Sequence, residues 1–167
     1  MKIVASLKKL RLPRRPRATV SGFTLIEIIV ALAILGALAA IGIPQFSSYR
    51  DQARLAQAYA DIRNIDLAVR KYKAENGDWP ADLAALNMTD MPKDPWNNDY
   101  VYLKIEGVPS ATGSARKDQF LVPLNSDFDV YTKGSNGTST GPIQTPQSQD
   151  DVIRANDGRF IGLASTY

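Results

Sequence analysis

Glu27 is one acid inside an apolar run of 21 residues, Phe23 to Ile43, interrupted otherwise only by Thr24. A carboxylate at the middle of a membrane-spanning helix costs about 2.5–3.5 kcal/mol on insertion scales. A chain that keeps one there needs a use for it. Little else in the sequence can do covalent chemistry. There is no cysteine and no histidine, which excludes disulfides, thiolate metal sites, Ser–His catalysis and almost all zinc chemistry. Ser114–Lys117 fits S-x-x-K, but neither companion motif of that catalytic class accompanies it. Asn87-Met-Thr and Asn136-Gly-Thr match a glycosylation pattern by chance, and Arg14-Arg15 followed by Pro16 makes a poor twin-arginine signal.

Charge separates the chain into unequal parts. Residues 1 to 22 hold seven of the twenty Lys and Arg and no acid, which leaves 13 basic against 17 acidic residues in the remainder, a balance of −4. The net +3 of the full sequence therefore gives no support to nucleic-acid binding. A basic segment before an apolar one reads as a cytoplasmic anchor beside a membrane span. A secretory signal begins in the same way, but its cut follows the apolar region. Here the run passes Ala39-Ala40 and continues to Ile43 and Pro44, while the small residue Gly22 stands before it. A cut at Gly22 keeps the apolar segment as a permanent N-terminus.

Four zones are expected: a basic leader over 1–22, a hydrophobic helix over 23–46, an amphipathic helix over 47–76 and a globular head over 77–167. The run spans about 30 Å of hydrocarbon at 1.5 Å per residue. Beyond it, Tyr49, Ala53, Ala56 and Ala60 continue one face, and Ile62, Ile65, Val69 and Tyr72 recur at helical steps. Gly77 and Pro80 stop the helix, and Pro44 is the expected kink or melted point. In the head, the pattern predicts a short helix near Ala81–Leu86 and strands at Tyr100–Ile105, Gln119–Leu124 and Phe128–Thr132. Pro123 restricts the second to an edge or a strand end. Residues 134–149 have loop composition. Trp79, Trp96, Tyr100 and Tyr102 read as core packing. The fold class is α+β: a long N-terminal helix packed on a small antiparallel sheet.

The stretch "SGFTLIEIIVALAILGALAAIGIP" resembles the type IV prepilin N-terminus, with glycine, phenylalanine, a glutamate four residues later and an apolar helix to a proline in register. Within that superfamily the head is most similar to the major pseudopilins of type II secretion. "NGDWP" at 76–80, "PKDPWNNDYVY" at 92–102 and "FDVYTKGSNG" at 128–137 with "DDVIRANDGRFIG" at 150–162 carry the likeness. Two features depart from it: a longer leader and a longer loop before Asp150.

The resemblance implies a precursor cut after Gly22 by an inner-membrane prepilin peptidase, which methylates the new amino group of Phe23. It implies a single-pass inner-membrane protein with a periplasmic head, held in membrane lipid before assembly. An assembly platform and an ATPase would then stack it with itself and with minor pseudopilins into a periplasmic filament. No enzymatic activity belongs to the chain. The cation created on Phe23 and a neighbour's Glu27 could pair and relieve two desolvation penalties together. The local alternative is that Glu27 favours its own helix N-terminus, worth about 0.3–1 kcal/mol. Small residues Ala33, Gly36, Ala37 and Ala40 suit close helix packing, and equally an ordinary small-residue membrane helix. The resemblance also implies calcium, with Asp150 and Asp151 as side-chain ligands, Asn136 where relatives often have Asp, and the carbonyl of Lys133. Hard cations want six to eight oxygens. A type IV pilus subunit and a non-polymerising anchored binding module are the alternative readings.

Overall fold

The structure, a computed structural model, describes residues 22–86 and 93–167. The expected leader lies outside the described residues apart from Gly22, and so do Pro92 and the Asn87 pattern. Helix α1 spans Leu25–Asn76. The chain divides into two compact units within that helix, between Ile43 and Pro44.

In the first unit the apolar side chains from Phe23 onward are exposed, and the most apolar window has a mean hydropathy of 2.6 with none of it buried. The helix is long and apolar enough to cross a membrane. It does not melt at its proline: helical structure runs through Gly42 and Pro44 without a break. Proline removes one hydrogen bond, from its own missing N–H to residue i−4.

The second unit contains the rest of α1 and a sheet of four short strands, β1 (Val101–Lys104), β2 (Phe128–Tyr131), β3 (Val152–Ala155) and β4 (Phe160–Leu163). All neighbours are antiparallel, in the order β1-β2-β3-β4. The expected α+β architecture is the one observed. Ile62, Ile65 and Val69 recur at three- and four-residue steps and are fully buried with Ala58 against Tyr100, Phe128, Val130 and Val152. Each such aliphatic side chain contributes roughly 1.5–3 kcal/mol. Trp79, Trp96 and Tyr102 pack on the same cluster, as expected. The upper part of the stripe is shifted, since Ala53, Ala56 and Ala60 are exposed while Leu55 and Ala58 make the contact. The helix stops where Gly77 takes φ +80 and its N–H reaches the Lys73 carbonyl at 2.8 Å.

Strand β3 alternates: Val152 and Arg154 serve the helix side, while Ile153 and Ala155 join Leu124, Ile143 and Ala164 in a second cluster. Ile143, the one large hydrophobe of the 134–149 segment, is 3% exposed and pins that segment to the second cluster. The short helix expected near Ala81–Leu86 is a 3-10 turn at Leu83–Leu86. Gln119–Leu124 is not a strand. Phe120, Leu121 and Val122 are exposed, and Asp118 Oδ1 accepts the Phe120 and Leu121 N–H groups, so the backbone turns there instead of pairing. Pro123 could supply no ladder donor in any case.

Candidate functional site

Two places in the chain concentrate unusual chemistry: the start of α1 and the loop from Lys133 to Asp151. At the first, Thr24 occupies the position before Leu25 and Glu27 the third helical position. The Glu27 carboxylate accepts the Thr24 N–H at 2.8 Å and the Thr24 hydroxyl at 2.8 Å. The Glu27 N–H in turn donates to Thr24 Oγ1 at 3.3 Å. This reciprocal arrangement is a capping box, which satisfies helix N–H donors that have no partner within the helix. Thr24 is legible in the sequence as the first half of T-x-x-E but does not stand out in an apolar run. In the lone chain the acid is therefore not bare. Gly22 and Phe23 lie just outside the helix, and Phe23 is 85% exposed.

At the second place, the resemblance-derived ligands separate. Asp150 faces the turn made by residues 134–137. Its Oδ2 accepts the Ser135 hydroxyl at 2.8 Å and the Asn136 N–H at 2.9 Å, and its Oδ1 accepts the Asn136 side-chain amide at 2.5 Å. The turn depends on Gly134, which has φ +60 and lies so near Asp150 that a Cβ would fall 2.4 Å from the Asp150 carbonyl oxygen. Asp151 points elsewhere. It is fully buried, and its Oδ2 is 2.5 Å from Arg116 Nη2 and accepts the Ser139 hydroxyl. Arg116 is 1% exposed; its Nη1 donates to Ser139 and to the Thr140 carbonyl, and its guanidinium lies 4.3 Å over the Tyr131 ring. Burial pushes the Asp151 carboxyl up to about 6, which leaves it ionised at neutral pH beside that cation. Asp151 Oδ1 and Arg116 Nε are the buried side-chain polar atoms without a hydrogen-bond partner among the described residues.

These residues do not form a calcium cage. Among the described residues no three acidic side chains gather to hold a metal. One carboxylate of the implied set already faces an arginine, and the other is met by N–H and O–H donors where a cation would require oxygens. Asn136 presents its amide N–H₂ to Asp150, while its Oδ1 accepts from Thr138.

A third constellation escaped the sequence reading. Arg154, fully buried on β3, donates from Nε to Asp66 at 2.6 Å and from Nη1 and Nη2 to Asp127 at 2.8 and 2.7 Å. Its guanidinium stacks 3.9 Å from the Phe128 ring, and Arg70 adds a second bond to Asp66 at 3.0 Å. The network ties α1 to the sheet within the head. The available signal is an arginine between Ile153 and Ala155, in an otherwise apolar strand.

Comparison with known proteins agrees with the chemistry at the start of α1. Residues 17–43 match the prokaryotic N-terminal methylation motif. The chain is 33% identical over 141 residues to the type II secretion system core protein G of Pseudomonas aeruginosa, covering 72% of this chain and 87% of that protein. It is 29% identical to the protein of the same name from Vibrio cholerae, over 72% of this chain and 84% of the relative. It is also 35% identical to the fimbrial protein EcpC of Eikenella corrodens, over 75% of this chain and 95% of that protein.

Proposed function

Because the chain belongs to the major pseudopilins of type II secretion, within the type IV pilin-like family, we propose that it is a filament subunit matured at Gly22–Phe23 and assembled through Glu27. The protein is structural and not enzymatic, and is anchored in the inner membrane with a periplasmic head. In this reading residues 1–22 are a leader removed by a prepilin peptidase, and the new Phe23 amino group is methylated. Residues 23–46 then leave membrane lipid for the filament core, and residues 47–76 carry the head over 77–167. The assembly platform, its ATPase, minor pseudopilins and further copies of the chain are the partners.

The observation that carries the proposal is the position of Glu27, with Thr24 as its temporary partner. The capping box satisfies the carboxylate with neutral donors in the lone subunit. A neighbour's Phe23 cation is a stronger partner, since it brings a full opposite charge that the neutral Thr24 donors lack, and that attraction is less screened away from water. The acid therefore waits on its own helix and exchanges to an intermolecular pair during assembly. Glu27→Ala is expected to leave cleavage intact and abolish most filament formation, measured as sheared filament yield beside a blot for the shortened chain. Normal yield from that variant would remove Glu27 from the assembly role.

Calcium stands apart from this proposal. To hold it, Asp150 must release Ser135 and Asn136, and Asp151 must release Arg116. The likeness to EcpC keeps a surface pilus as the second reading. Secretion of a co-expressed exoprotein, lost on deletion of this chain, separates the two.

A further inference from the structure

We propose that the head carries its own replacement for a metal: Arg116 serves Asp151 and the Asn136 amide serves Asp150, so the 133–151 loop closes without calcium. The inference concerns the head alone and holds whether or not the chain polymerises.

Two adjacent carboxylates close a loop of polar residues, and their charges must be met for the loop to settle on the sheet. A buried carboxylate without a partner is costly. On the inner side, Arg116 brings a permanent charge to Asp151. It gathers the Ser139 hydroxyl and the Thr140 carbonyl around the same guanidinium, which are groups a hard cation would also collect. The arginine is held for this role. Its N–H donates to Asp129 at 2.6 Å, its carbonyl accepts the Leu124 N–H at 2.8 Å, and Tyr131 covers its face. On the outer side, residue 136 decides the matter. An aspartate there would set two carboxylates against each other and call for a cation between them. Asparagine supplies a donor to Asp150 directly, and the Asn136 backbone N–H and Ser135 hydroxyl complete its shell. Thr138 holds the Asn136 carbonyl oxygen through its N–H and hydroxyl, which fixes the amide in the donating orientation.

The experiment follows the thermal unfolding of the full chain in detergent micelles, read by tryptophan fluorescence, with a calcium chelator and with millimolar calcium. The unmutated chain is expected to melt at the same temperature in both. Arg116→Met is expected to lower the midpoint by roughly 10–20 °C, as for one partner removed from a buried ion pair in a head of this size. Asn136→Asp is expected to melt lower with chelator and to recover with calcium, a response that the parent lacks. A midpoint in the unmutated chain that falls on chelation or rises with calcium overturns the proposal. So does an Arg116→Met chain that melts like the parent, or an Asn136→Asp chain indifferent to calcium. The chelator arm uses the unmutated chain, so it decides even if a variant fails to fold.

Discussion

At the scale of residues, three side chains carry charge into places that water does not reach or that lipid covers, and each has a different partner. Glu27 has its own Thr24, Asp151 has Arg116, and Arg154 has Asp66 and Asp127. Removing one member of a buried pair leaves the other uncompensated, at about 3–5 kcal/mol. Arg154→Met keeps an unbranched apolar stem but takes the two-pronged partner from Asp127 and leaves Asp66 with Arg70 alone. It is therefore expected to destabilise the head by about that amount, measured by urea unfolding. A change below about 1 kcal/mol, the ceiling for exposed pairs, would show the network to be solvated. Glu27 is legible in the sequence because a lone acid contrasts with an apolar run. Arg116 and Arg154 are not, because their acidic partners lie 35, 27 and 88 residues away. Arg116 sits in a polar stretch, Ser114–Lys117, where an arginine reads as solvated. Arg154 stands out from its strand, but nothing nearby in sequence names its partner. The calcium set separates in the structure: resemblance places Asp150 and Asp151 together, while Asp150 faces the 134–137 turn and Asp151 faces the buried Arg116.

At the scale of elements, the lower half of α1 is the piece on which the head is built. Its period of 3.6 survives in the sequence, so the spacing of Ile62, Ile65 and Val69 is enough to assign them to one face. Ile62→Ala is expected to cost about 2–5 kcal/mol, the range for a buried isoleucine. Leu67→Ala, on the same helix but 60% exposed, is expected to cost about 0.5 kcal/mol or less. Equal effects in urea unfolding would contradict the packing. The sheet is less legible. Strands of four residues offer two alternations at most, and Gln119–Leu124 imitates one while Asp118 turns it outward. Strands β3 and β4 escape sequence assignment because Arg154 and Asn156 to Arg159 break the apolar pattern. The turn between them takes positive φ at Asn156, Asp157 and Gly158, a conformation that short polar residues tolerate and sequence marks only faintly.

At the scale of the whole molecule, charge and apolarity are sorted along the chain in the order that membrane insertion and export require. The basic excess precedes the span, and the residues after Gly22 carry the acidic balance. A protein that lost only its first 22 residues would change from net basic to net acidic and would keep its apolar helix. The central claim is that this cut occurs and creates the cation that Glu27 takes up. Intact mass spectrometry of the full chain, recovered from membranes and from sheared filaments, tests it most directly. The expected result is a species in both fractions that begins at Phe23 and carries one added methyl group. A chain that still begins at Met1, or one that begins at Phe23 without the methyl group, would contradict the account.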